Sequence, residues 1–177
     1  MQQGKFIVLP ESLKEDEVSV ATPEAIGLRA FRKCNVGQGD TLLIYGIDNI
    51  CMLVAQWARK AGMKNIVLAD KDDEMVEAAR ALGFSLALNV SSEDLGKLVG
   101  YSTEGRGADA CVEGTGESEG LAECINLAKV GSTVVCVGLP KGEMNLSEST
   151  YQEIRRKELT VAGVWKGEGE GLVWSRE

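Results

Sequence analysis

The alternation of apolar runs and turns between residues 41 and 70 constrains the fold of this chain more than any other feature. A strand-like run, Leu42-Leu43-Ile44-Tyr45, ends in Gly46. Apolar residues then recur at helical spacing from about Ile50 to Ala61, and a second apolar run, Ile66-Val67-Leu68-Ala69, ends in Asp70. Strand, tight turn, helix and strand in so short a span make a βαβ unit with parallel strands. The rest of the chain repeats the alternation. Strands are expected at 42–45, 66–69, 86–89, 109–113, 133–137 and 159–164, with helices near 50–61, 73–82, 92–100, 118–129 and 147–156. Gly62 and Gly83 stand where helix C-caps belong, and Ser91-Ser92 before Glu93-Asp94 reads as a cap followed by first-turn acids. Strands that are apolar almost throughout, separated by helices, imply a parallel sheet covered on both faces. The expected fold class is α/β, a doubly wound six-stranded parallel sheet of Rossmann type with strand order 3-2-1-4-5-6.

Residues 1–165 read as one such domain, of which 1–36 form an N-terminal arm and helix. Phe6-Ile7-Val8-Leu9-Pro10 reads as extended, and the acidic stretch from Glu11 to Glu17 as a solvated helix start. Residues 18–33 carry helical spacing, with Pro23 admissible in a first turn. Residues 166–177 are a glycine- and glutamate-rich tail, expected to fray.

A formal net charge of −8 argues against nucleic acid or an anionic membrane as partner, since both select basic surfaces. No apolar run approaches the ~20 residues of a membrane span, and the first residues lack a signal-peptide core, so a cytoplasmic protein is expected. The five cysteines form no C-x-x-C pair and are expected to be reduced and buried. Histidine is absent, which removes the commonest metal ligand and the usual general base. No residue is therefore assigned a catalytic role, and no zinc is expected on this chain.

A βαβ unit with an acidic residue roughly 20 residues beyond its turn is the layout of a dinucleotide-binding fingerprint. Here the G-x-G-x-x-G turn reads Gly46-Ile47-Asp48-Asn49-Ile50-Cys51. Gly46 keeps the first role, the tight turn. Asp48 brings a side chain and a negative charge to the place where backbone should approach the pyrophosphate. Asp48 or Asn49 can instead cap the helix and take the N–H groups a phosphate would need. Cys51 is small enough for the third position. Asp70 can accept from both ribose hydroxyls and would repel a 2′-phosphate, which favours NAD over NADP; it can equally cap the helix that begins near Asp72. Two further turns, at Thr115-Gly116 and Val137-Gly138-Leu139, follow strands at the sheet edge where ligands of open α/β sheets bind. The candidate cofactor contacts are thus Gly46, Asp70, Thr115, Gly116, Val137, Gly138 and Leu139, for an NAD that binds weakly or not at all.

Several segments together resemble the zinc-dependent medium-chain alcohol dehydrogenases, especially the polyol group that includes sorbitol and galactitol-phosphate dehydrogenases. They are GDTLLI at 39–44, AQWARKAG at 55–62, VLAD at 67–70, AARALG at 78–83, GADACVEGTG at 107–116, GSTVVCVGLP at 131–140 and RKELTVAG at 156–163. The resemblance implies a nicotinamide-binding domain by descent. Such enzymes also carry a catalytic domain with zinc ligands and a four-cysteine zinc loop, for which this sequence has no counterpart. It departs from the family further at Thr22-Pro23, Arg29 and Met75, where an acid, a histidine and a basic residue are common. The expected function is the cofactor-binding domain of a polyol or alcohol dehydrogenase, not catalytic alone. The competing class is a non-enzymatic Rossmann module acting in assembly or regulation. A methyltransferase is less favoured, because Gly46 lacks the neighbouring glycines of methyl-donor sites. A homodimer through the sheet edge at 159–164 is expected, since an unpaired strand invites pairing.

Overall fold

A computed structural model of the protein describes residues 20–165. The arm at 6–10, the acidic segment at 11–17 and the tail at 166–177 lie outside the described residues. Within them the order is α1 (Ala21–Cys34), β1 (Thr41–Tyr45), α2 (Asn49–Lys60), β2 (Asn65–Asp70), α3 (Asp73–Ala81), β3 (Ala87–Asn89), α4 (Leu95–Thr103), β4 (Ala108–Glu113), α5 (Ser118–Leu127), β5 (Ala128–Cys136), α6 (Glu148–Arg156) and β6 (Thr160–Gly163). All strand pairs are parallel and the sheet runs β3-β2-β1-β4-β5-β6, the doubly wound order the sequence predicts.

The two-residue period of a strand explains how one sheet holds two cores. Leu42 and Ile44 of β1 point to one face and pack with Leu68, Ala110 and Val112 beneath α1, α2 and α3. Leu43 and Tyr45 point to the other and join Val67, Ala69, Cys111 and Val134 beneath α4 and α5. Because β1 is central, all five of its residues are buried. Deleting a side chain such as Ile44 should destabilise the domain by about 2–5 kcal/mol. Gly27 lets α1 lie close to α2, since a Cβ there would stand 3.0 Å from that of Leu53.

Several boundaries differ from those expected. The Ser91-Ser92 pair does not cap α4. Asp94 does, accepting from the Lys97 N–H at 3.0 Å, while Asn89 holds Ser91 and Ser92 in the preceding turn. α5 stops at Leu127, and β5 begins at Ala128, five residues before the apolar run at 133. A register shift between Ala108 and Ala110 admits the extra residues to the pairing with β4. Gly62 and Gly83 do sit just past α2 and α3 with φ of 86° and 88°, the left-handed region that favours glycine at a C-terminus.

Candidate functional site

The carboxyl ends of β1, β2, β4 and β5 open into a cleft of about 870 Å³. Its floor is the β1–α2 turn. Gly46 there has φ 95°, and a Cβ would approach the N and Cγ2 of Thr115 to 2.9 Å, so both conformation and space require glycine. Of the candidate contacts, Gly46, Asp70, Thr115, Val137 and Leu139 line the cleft. Gly116 and Gly138 lie behind them, where the loops after β4 and β5 meet. A side chain on Gly116 would collide with the Leu139 carbonyl, and one on Gly138 with the Gly116 N–H.

A carboxylate that the sequence reading left out holds those loops. Glu113 ends β4 and is 1% exposed. Its Oε1 accepts from the Thr115 N–H at 2.6 Å, the Thr115 hydroxyl at 2.6 Å and the Gly116 N–H at 2.9 Å. Its backbone carbonyl accepts from Val137 and Gly138 N–H groups at 2.8 and 3.0 Å. One residue thus closes two turns. The available signal was a charge ending the strand directly after the apolar run Ala110-Cys111-Val112.

At the β1–α2 turn, three of the six N–H groups from Gly46 to Cys51 are taken. Asp48 is the cap of α2, with Oδ1 accepting from the Cys51 N–H at 2.7 Å; Asn49 is not. The Ile47 N–H donates to Asp70 Oδ2 at 2.6 Å and the Gly46 N–H to the Ala69 carbonyl at 2.7 Å. Among the described residues the Asp48, Asn49 and Ile50 N–H groups of this turn have no acceptor. The Cys51 thiol fills the space against Gly114, where a further Cβ would collide with it. Burial first, then Asp48, raises Cys51 well above the usual thiol range, so it is no nucleophile.

Asp70 does not cap α3; Asp72 does, accepting from Glu74 N–H at 2.9 Å. Asp70 spans the cleft floor instead, with Oδ1 accepting from Asp72 N–H at 3.0 Å and Oδ2 from Ile47. Each carboxylate oxygen retains a second lone-pair direction for a hydroxyl donor. At the rim, Lys71 lies 2.6 Å from Glu119 and 3.9 Å from Glu117, and Lys141 lies 3.0 Å from Glu117. Glu119 hydrogen-bonding raises Lys71, and Lys141 lowers Glu117, as expected of exposed pairs. Asp70 therefore offers acceptors that suit a ribose diol, while Asp48 sets a carboxylate at the start of α2, beside the turn. A smaller hollow of about 320 Å³ lies along α1 and α2, around Trp57, and has no strand-end turn.

A parallel sheet in this order, with a glycine turn after β1 and an acid at the tip of β2, defines a Rossmann-type nucleotide-binding domain. The chain belongs to the zinc-binding dehydrogenase family, whose sequence profile matches residues 50–174. It is 28% identical over 162 residues to L-idonate 5-dehydrogenase of Vitis vinifera, covering 89% of this chain and 43% of that protein. It is 25% identical over 166 residues to sorbitol dehydrogenase of Bacillus subtilis, covering 94% and 46%. The crystal structure of galactitol-1-phosphate dehydrogenase from Escherichia coli shares the fold, with a TM-score of 0.81 at 24% identity, covering 93% of this chain and 47% of that one. The chain spans less than half the length of these relatives. Among the described residues no group of three or more His, Cys, Asp or Glu side chains is placed to hold a metal ion, and no helix is long and apolar enough to cross a membrane.

Proposed function

We propose that this chain is the nicotinamide-cofactor-binding part of a polyol or alcohol dehydrogenase, holding NAD weakly and supplying no catalytic side chain. The observation that carries this reading is Asp70, whose carboxylate lies at the tip of β2, on the cleft floor, beside the Gly46 turn. Contacts fall to Gly46, Asp70, Thr115 and the Val137–Leu139 turn, with Gly116 and Gly138 shaping the wall. The family reaction is hydride transfer between an alcohol and NAD; its metal and alcohol-binding groups would come from residues other than 20–165.

Calorimetry with NAD tests the proposal. A carboxylate beside a phosphate in a partly buried site opposes binding by on the order of 1–3 kcal/mol. At about tenfold per 1.4 kcal/mol, a micromolar site falls towards the millimolar range. Asp48→Gly with Cys51→Gly should recover the affinity, and the cap itself is worth only a few tenths of a kcal/mol against glycine. Tight NAD binding by the unaltered chain would show that the turn is competent as it stands. A double variant that still fails to bind would favour the second reading, a Rossmann module for assembly or regulation, to which the self-capped α2 lends support.

We also propose a homodimer through β6. Its Thr160, Val161 and Gly163 are exposed at the sheet's edge, with Val161 46% accessible. Light scattering should give twice the monomer mass; a monomer at high concentration would exclude the interface.

A further inference from the structure

The disagreement between this cleft and a dinucleotide has a sign, and the sign names a ligand. Five carboxylates line the cleft, those of Asp48, Asp70, Asp72, Asp73 and Glu117, against two ammonium groups. Both ammoniums, Lys71 and Lys141, are already paired with Glu117 or Glu119. The hydrogen bonds made by Asp48, Asp72 and Asp73 come from the neutral groups Cys51 N–H, Glu74 N–H and the Asn89 amide, and among the described residues none of the three is paired with a cation. Met75 stands 37% exposed at the cleft wall and Ile50 lies across the turn, giving apolar surface for a base but no cation for a phosphate. We infer that the cleft selects a ribonucleoside whose 5′ substituent is neutral or positively charged, and that each added phosphate weakens binding.

This inference rests on the cofactor-cleft reading, because it keeps Asp70 as the ribose acceptor. It differs from that reading in the order of ligands. A dinucleotide site binds the diphosphate more tightly than the bare nucleoside, since the helix terminus and turn N–H groups reward negative charge. Here Asp48 occupies the helix terminus, so the reward becomes a penalty.

The test is a calorimetric series on the full chain at neutral pH and low salt. The probes are 5′-amino-5′-deoxyadenosine, adenosine, AMP and ADP, with 2′-deoxyadenosine as the control for the diol. The amine and adenosine should bind most tightly, and ADP should be weaker than adenosine by about tenfold or more. Loss of the 2′-hydroxyl, a donor to a charged acceptor, should weaken binding by about tenfold. Asp48→Asn retains an equally good cap and removes the charge, so the ratio of ADP to adenosine affinity should rise by about tenfold. ADP binding more tightly than adenosine to the unaltered chain would overturn the inference and leave the cofactor reading standing. An affinity ratio unmoved by Asp48→Asn would also overturn it. If no probe binds either protein, the inference and the cofactor reading fail together.

Discussion

Replacing Glu113 is the sharpest test of how the site is built. Three donors converge on its Oε1, the N–H and hydroxyl of Thr115 and the N–H of Gly116, at 2.6, 2.6 and 2.9 Å. No other acceptor serves them among the described residues. In Glu113→Ala all three lose their partner, two as backbone N–H groups at the meeting of the β4 and β5 loops. Hydrogen bonds to charged groups contribute about 1.5–3 kcal/mol each, and the three do not add fully because they share one oxygen. A loss of about 3–5 kcal/mol is expected, a large fraction of the roughly 5–15 kcal/mol that such domains possess. Glu113→Gln keeps an amide oxygen for the same donors at near-equal volume. Charge-assisted bonds are roughly twice as strong as neutral ones, so its expected loss is about 1–2 kcal/mol. Urea unfolding followed by circular dichroism reads both values as shifts in midpoint at constant slope. An alanine variant within about 1 kcal/mol of the parent would refute the account of the loops. A glutamine variant more stable than the parent would show that the buried charge is a liability the three donors fail to offset.

Asp109 accepts from Lys129 at 2.6 Å and from the Thr41 N–H at 2.9 Å. Desolvation, the largest influence, pushes its carboxyl up, but Lys129 and Thr41 together hold it below the ordinary 3.8. A depressed folded value stabilises above the unfolded value and is lost as pH falls through the folded one, so Asp109→Asn should flatten the stability profile below pH 3.8. An unchanged acid limb in thermal melts would contradict this. Burial pushes Cys34 up to about 12 and, with the Cys111 contact leading at Cys124, raises Cys51 and Cys124 well beyond the usual range. A thiol reagent should therefore modify only the part-exposed Cys136, slowly, before denaturation and all five cysteines after it. Rapid labelling of two or more in the folded protein would refute the burial pattern. Elemental analysis of protein purified without chelator should find well under one equivalent of zinc, and a stoichiometric, tightly held ion would reverse the assignment of the metal site to other residues.

The parts of the fold that local pattern dictates were legible in the sequence. Six apolar runs, the helical spacings between them and the glycines at 46, 62 and 83 gave the strand order and the site's edge, because burial period and positive φ are recorded residue by residue. Asp48 as a capping candidate was legible for the same reason. What was not legible depends on partners distant in sequence. Nothing near Asp70 announces that it takes the Ile47 N–H, 23 residues away. The start of β5 at Ala128 follows from a register shift against β4, not from the polarity of Lys129 or Gly131. At α4, Ser91, Ser92 and Asp94 all carry side chains able to cap, and only the path out of β3, fixed by Asn89, decided for Asp94.

Asp70 holds the β1–α2 turn to the end of β2 whether or not anything occupies the cleft. A lineage that stopped using a dinucleotide would therefore gain nothing by discarding it, since its removal would loosen the centre of the sheet. Selection for a stable fold would preserve the ribose anchor without any selection for ribose. The cap at position 48 is freer to change, since aspartate and glycine hold the helix almost equally well. On the reading proposed above, the step from a cleft that repels phosphate to one that welcomes it runs through positions 48 and 51, and drift can take it in either direction while the scaffold stands.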